Sequence, residues 1–156
     1  MSYDLIFLPK GADQTWEEAI DAVEAAADHD ATRPSADVWT RLVAAAEQVL
    51  GEVSEFEGDN NYALDHESTG IQLSYHATEA EITVPYWYRG DDARQIVQLI
   101  YRLGEAVERV TGLPGFDPQL DLPLADAATR VELAVTAFDQ VAASFAARGI
   151  DSPSNG

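Results

Sequence analysis

Cysteine is absent from the 156 residues, and lysine occurs once, at Lys10. Without a thiolate the chain has no cysteine nucleophile, redox pair, zinc ribbon or iron–sulfur cluster. Basic residues number nine against 28 acidic ones, so the formal net charge is −19 at pH 7. A field of that sign repels nucleic-acid backbones and anionic membrane surfaces and attracts cationic partners. No segment has the uncharged apolar length that spanning a bilayer requires, and no basic region precedes the short apolar run near Met1, which predicts a cytoplasmic protein. A glycine-rich phosphate cradle is missing too. Gly112 to Gly115 follows a helical pattern and contains Pro114, whereas a cradle follows a strand and opens a helix. No Gly-x-Ser-x-Gly occurs, and Ser54, Ser68 and Ser74 fall in turn or strand contexts.

The acidity itself has two readings. Arginine in preference to lysine, with abundant alanine, aspartate and valine, is what GC-rich coding produces, and adaptation to salt would push acidity further. A functional surplus would instead be concentrated on one surface, while the sequence places Asp and Glu in every segment.

Periodicity predicts a single α+β domain over residues 1–151 with a disordered tail over 152–156. Tyr3 to Leu8 is a short apolar run closed by Pro9, Lys10 and Gly11, a strand buried in part on both faces. Thr15 and Glu18 form a capping box ahead of a helix striped by Trp16, Ile20 and Val23 with Ala19, Ala26 and Ala27. A second helix carries Val38, Leu42, Ala45, Ala46 and Val49 and stops at Gly51. From Glu52 to Tyr88 the period falls to two, an antiparallel meander with its hairpin tip at Thr69 and Gly70. Tyr62, Leu64, Ile71, Leu73 and Tyr75 share one face with Ile82, Val84, Tyr86 and Tyr88. Asp65, Glu67, Gln72, Ser74, His76, Glu81, Thr83 and Trp87 share the other.

A long helix starting at Gly90 and Asp91 presents Ile96, Leu99, Ile100, Leu103, Val107 and Val110 to the apolar sheet face. Gly115 to Gln119 is one more short strand or an ordered loop, and because Pro118 cannot donate to a ladder any strand there is at an edge or very short. A final helix runs from about Ala125 to Ala147 with Val131, Val135, Phe138, Val141 and Phe145 as its stripe, and either covers the second sheet face or makes a dimer contact. The fold class is therefore α+β: an antiparallel sheet of about four to six strands, helices mainly on one face, two of them after the first strand and an extra one at the end.

Metal chemistry finds little support. His66 and His76 lie on neighbouring strands but point to opposite faces, and ligands must converge. Glu55, Glu57, Asp59, Asn60 and Asn61 lack the spacing of a helix–loop–helix calcium site. Asp91 and Asp92 sit at a helix start, where negative charge meets free backbone donors. No cofactor is implied. Tyr86, Trp87 and Tyr88 form an aromatic triplet near Arg89 and Arg94; two of its rings pack inward, leaving Trp87 among Asp65, Glu67, His76 and Glu81 as an aromatic within a polar rim. Those five residues are the candidate partner-binding surface.

Met1-Ser2-Tyr3-Asp4-Leu5 and the late Gly112-Leu113-Pro114-Gly115-Phe116-Asp117-Pro118-Gln119, which follows a long helix, resemble a family of small bacterial proteins of uncharacterised function. Its members open on Met-Ser-Tyr-Asp-Leu and carry a Phe/Tyr-Asp-Pro-Gln segment after a helix. The chain departs from that pattern by adding a full helix after the segment. The resemblance implies no catalytic residues, and its members are similar in size and style to immunity proteins of bacterial toxin systems.

Together these observations predict a non-enzymatic acidic module that binds a cationic protein, with immunity against a basic toxin as the form suggested by analogy. Two alternatives stand beside it. One is a small-ligand protein or enzyme whose site is built from scattered residues such as His76, Glu81 and Trp87. The other is a salt-adapted domain whose acidity has no partner.

Overall fold

The computed structural model describes residues 2–27 and 33–147. The predicted tail at 152–156 and the side chains of Ala26, Ala27 and Phe145 lie outside the described residues. In chain order the elements are β1 (Ser2–Phe7), α1 (Trp16–Ala27), α2 (Ala36–Leu50), β2 (Ser54–Glu57), β3 (Tyr62–His66), β4 (Ile71–Tyr75) and β5 (Ala80–Pro85). They continue with α3 (Gly90–Thr111), β6 (Gly115–Asp117), β7 (Leu122–Pro123), α4 (Leu124–Ala127) and α5 (Val131–Ala147).

The strands form one antiparallel sheet in the order β2-β3-β4-β5-β1-β6-β7. The α+β class therefore holds, and the strand count among the described residues is seven where the periodicity predicts about four to six. The excess comes from β6 and β7, three and two residues long, too short to show a period. β6 stops at Asp117 because Pro118 has no N–H to carry the ladder further. Beyond that point a side chain continues it: Gln119 Oε1 accepts from the Asp4 backbone N–H at 2.9 Å and Gln119 Nε2 donates to the Asp4 carbonyl at 2.7 Å.

Local signals set the element ends. The Thr15 and Glu18 capping box is formed, with Glu18 N–H donating to Thr15 Oγ1 at 3.1 Å and Thr15 N–H to Glu18 Oε1 at 3.4 Å. Ser35 caps α2 by accepting from Val38 N–H at 3.3 Å. The hairpin between β3 and β4 turns at Gly70, with φ +79°, and a side chain there would come within 3.0 Å of Pro85 and 3.2 Å of the Trp87 ring.

Alternation along the strands puts Tyr3, Leu5, Phe7, Leu64, Ile71, Leu73, Ile82 and Val84 on one face, all fully buried. Each large apolar side chain removed from water there contributes roughly 1.5–3 kcal/mol. Helices α2, α3, α4 and α5 cover that face. Trp39 of α2 stacks on Tyr62 with ring centroids 5.3 Å apart, and Phe138 of α5 stacks on Tyr3 at 5.1 Å. The C-terminal helix thus joins the layer already occupied by α3, so of its two predicted placements the second sheet face is excluded. Arg94 of α3 pairs with Glu132 of α5, and Asp139 accepts from the Gly90 N–H at 2.9 Å, capping the start of α3.

The continuous final helix predicted from Ala125 is broken into α4 and α5. Thr129 Oγ1 donates to the Asp126 carbonyl at 2.8 Å and Arg130 N–H to the Ala127 carbonyl at 2.9 Å, a tight turn that replaces the helical ladder. The break lets Leu124 and Ala127 enter the core independently of α5.

Candidate functional site

The second face of the sheet has a different character. The paired positions Phe56, Ala63, Ser74, Glu81 and Ile6 form one row across β2, β3, β4, β5 and β1, and Ser54, Asp65, Gln72, Thr83 and Asp4 form the next. None of these ten is buried. Past β1 the face closes: Phe116, next in the first row, is covered by Trp16 at the start of α1, the two rings stacked at 4.7 Å, with the Lys10 ammonium 5.5 Å from the Trp16 ring centre. Helix α1 then reaches the β4–β5 turn, where Ala22 and Val23 flank a cleft that Thr78 also lines.

Charge is sorted between the two sides. The strands contain no lysine or arginine, and their outward rows carry Asp4, Asp65 and Glu81. Helix α1 adds Glu17, Glu18, Asp21 and Glu24, again with no basic residue. On the other layer Arg41 lies in α2, Arg94, Arg102 and Arg109 in α3, and Arg89 and Arg130 precede α3 and α5. The acids of the helix layer therefore have arginines among them, while on the open side the base among the described residues is Lys10, set over Trp16 where the face is closed. Glu81 registers the crowding: partial desolvation against the sheet first, then the neighbouring Asp4 and Glu79 charges, push its carboxyl above the usual glutamate range.

The five predicted surface residues do not converge. Asp65 and Glu81 are on the open face, two strands and one row apart. Asp65 and Glu67 line a cleft of about 450 Å³ between the end of α2, the start of β2 and the β3–β4 hairpin, together with Glu52 and His66. Trp87 follows β5 at that same end of the sheet, beside Gly70 and Pro85, and is 37% exposed. His76 follows β4 at the opposite end, a five-residue strand away, roughly 17 Å at the rise of an antiparallel strand. His66 points toward the helix layer, with its Nδ1 2.7 Å from Thr69 Oγ1, and the length of β4 keeps the two histidines apart. Among the described residues no group of three His, Asp or Glu side chains is placed to hold a metal ion.

Phe56, which sequence reasoning passed over, is the most exposed large apolar side chain among the described residues, at 53%. Its signal was the apolar residue between Glu55 and Glu57 in a strand whose four positions are all exposed. Glu55 Oε1 accepts from Trp39 Nε1 at 3.1 Å and Glu57 pairs with Arg33, whose guanidinium lies 5.8 Å from the Tyr62 ring centre. Both acids are held toward the helix side, and Phe56 projects alone on the other.

Asp117 is the polar residue inside the core, fully buried. Its Oδ2 accepts from the Tyr3 hydroxyl and, at 2.7 Å, from the Tyr101 hydroxyl. Its Oδ1 accepts from Gln119 Nε2 at 2.8 Å and from the backbone N–H groups of Gln119 and Leu120 at 3.1 and 3.2 Å. Burial and then the Asp117 charge raise both phenols well above the usual tyrosine range, and Tyr86 nearby is pushed up to about 12 by burial, Asp4 and Asp117. With five donors on two oxygens and no exposure, the carboxylate has no lone pair directed at solvent or a ligand. It ties β1, α3 and β6 together and supports the open face from behind.

Among the described residues no helix is long and apolar enough to cross a membrane. No family model matches the chain, and no curated protein or solved structure matches it.

Proposed function

We propose that this chain is a non-enzymatic protein-binding module of the immunity type, which neutralises a basic protein toxin by laying the open face of its sheet against it. The observation that carries the reading is the sorting of charge: strands without a basic residue on one side, arginines interleaved with acids on the other. A purely compositional surplus has no reason to sort in this way. A cationic surface approaching the open face is steered by the uncompensated field, and its affinity falls as salt screens that field. Phe56 and Trp87 flank the acidic rows and supply apolar contact at their margins.

The test is capture from host lysate by the wild-type protein, by an Asp65→Lys/Glu81→Lys variant of the open face and by a Glu47→Lys/Glu105→Lys variant of the helix layer. Both pairs change net charge equally. A basic protein retained by the wild type and the helix-layer variant near 0.15 M salt, released at about 1 M and lost from the open-face variant supports the proposal. Equal retention by all three sinks it.

A further inference from the structure

The two edges of the sheet are treated differently. β7 is two residues long and contains Pro123, and short strands and proline are the usual devices that stop an edge from pairing with another chain. β2 is the opposite edge, and it has neither device. It contains no proline and no lysine, it pairs with β3 in unbroken register from Ser54↔Asp65 to Glu57↔Tyr62, and all four of its residues are exposed. Among the described residues no strand lies on its outer side. A regular edge guarded only by its two glutamates presents a row of backbone donors and acceptors to an extended chain whose charge suits them.

Charge selects the occupant. Glu55 and Glu57 alternate with Phe56 along the strand, and the cleft at its start is lined by Glu52, Asp65 and Glu67. Arg33 answers Glu57 alone. A second copy of this chain would bring like charges together edge to edge. An extended segment with basic side chains at alternate positions would set them against the glutamates and put an apolar side chain beside Phe56.

We infer that β2 is a docking edge, on which a basic extended segment of the partner adds an eighth strand to the sheet. The inference rests on the reading of the protein as a binder of a basic partner and names how that partner engages. Main-chain hydrogen bonds supply the grip, and Phe56 and the acids around β2 supply the selectivity.

The probe is a blocked hexapeptide of alternating lysine and valine, compared with the same peptide N-methylated on every backbone nitrogen so that neither of its edges can donate. Binding is followed by NMR titration and by amide exchange across the sheet. The unmodified peptide is expected to slow exchange in Ser54–Glu57 by about tenfold at saturation, while Phe56→Ala weakens it by about tenfold, the loss of one apolar anchor. Phe56 is half exposed, so the variant keeps its fold. Equal binding of the methylated peptide, or protection confined to β4 and β5, overturns edge pairing while leaving the open-face reading intact. Absence of binding by either peptide, with the lysate partner still captured, overturns it as well.

Discussion

Tyr3 and Asp117, 114 residues apart in the chain, meet in the core, where the phenol of the first strand donates to the carboxylate that ends the sixth. Tyr101 of α3 donates to the same oxygen, so three elements share one buried anion. Removing the acceptor strands five donors at once. Asp117→Ala is expected to cost about 3–5 kcal/mol and Tyr3→Phe about 1.5–3 kcal/mol in urea unfolding. Because the two contacts are one interaction, the double variant should lose less than the sum, and additive losses would contradict the shared geometry.

The raised phenols predict an alkaline limit. Tyr3, Tyr86 and Tyr101 keep their protons in the folded state beyond the pH at which the unfolded chain gives its own up, so their contribution is complete below about pH 10 and is lost as pH rises above it. Each tyrosine adds about 1.4 kcal/mol per pH unit to that decline. Unfolding free energies measured between about pH 10 and 12 should fall less steeply in Tyr3→Phe, by up to about 1.4 kcal/mol per pH unit. An unchanged slope would show that the phenol titrates normally.

Gln119 stands in for the backbone that Pro118 cannot provide. Gln119→Ala leaves the Asp4 N–H and carbonyl and one Asp117 oxygen short of a partner, a cost of about 1–3 kcal/mol. Hydrogen exchange at Asp4 should accelerate more in this variant than exchange at Leu5 or Phe7, and a uniform change along β1 would speak against the role.

Glu81 carries a penalty when ionised, because its folded pKa lies above the unfolded one. The penalty is absent at acid pH and complete once pH exceeds the folded value. Glu81→Gln should therefore raise the melting temperature by about 1–2 °C at pH 7, the effect left after solvent screening, and have no effect near pH 3. A gain that persists at acid pH would point to packing instead.

Much of this fold was written in local pattern. The alternation of Tyr3, Leu5 and Phe7, the Thr15 and Glu18 box and the long stripe of α3 depend on neighbours within a few residues, and the structure keeps them all. What was not legible depends on partners far along the chain. Nothing near Asp117 marks it as buried, since an aspartate before a proline reads as a turn; its donors come from Tyr3 and Tyr101. The exposure of Phe56 follows from strand order, which places β2 at a margin, and periodicity cannot distinguish a marginal strand from a central one. The candidate surface suffered the same way. Asp65 and Glu81 lie on the face their alternation predicts, but His76 is separated from Glu67 and Trp87 by the length of β4, and α1 shields one end of the face through a Trp16 and Phe116 stack that no local signal announces.

The seat of β1 between β5 and β6 bears on how the molecule is made. Tyr3 pairs with Val84 and Ile6 with Phe116, so β1 has both neighbours among strands that follow it in the chain. Closing such long loops is entropically costly and slows folding relative to a chain of the same size built from local contacts. Throughout translation of the intervening segment, Leu5, Ile6 and Phe7 remain without the strands that will enclose them. During that interval the mutual repulsion of so acidic a chain opposes pairing between nascent copies, so the surplus of carboxylates acts before the sheet exists.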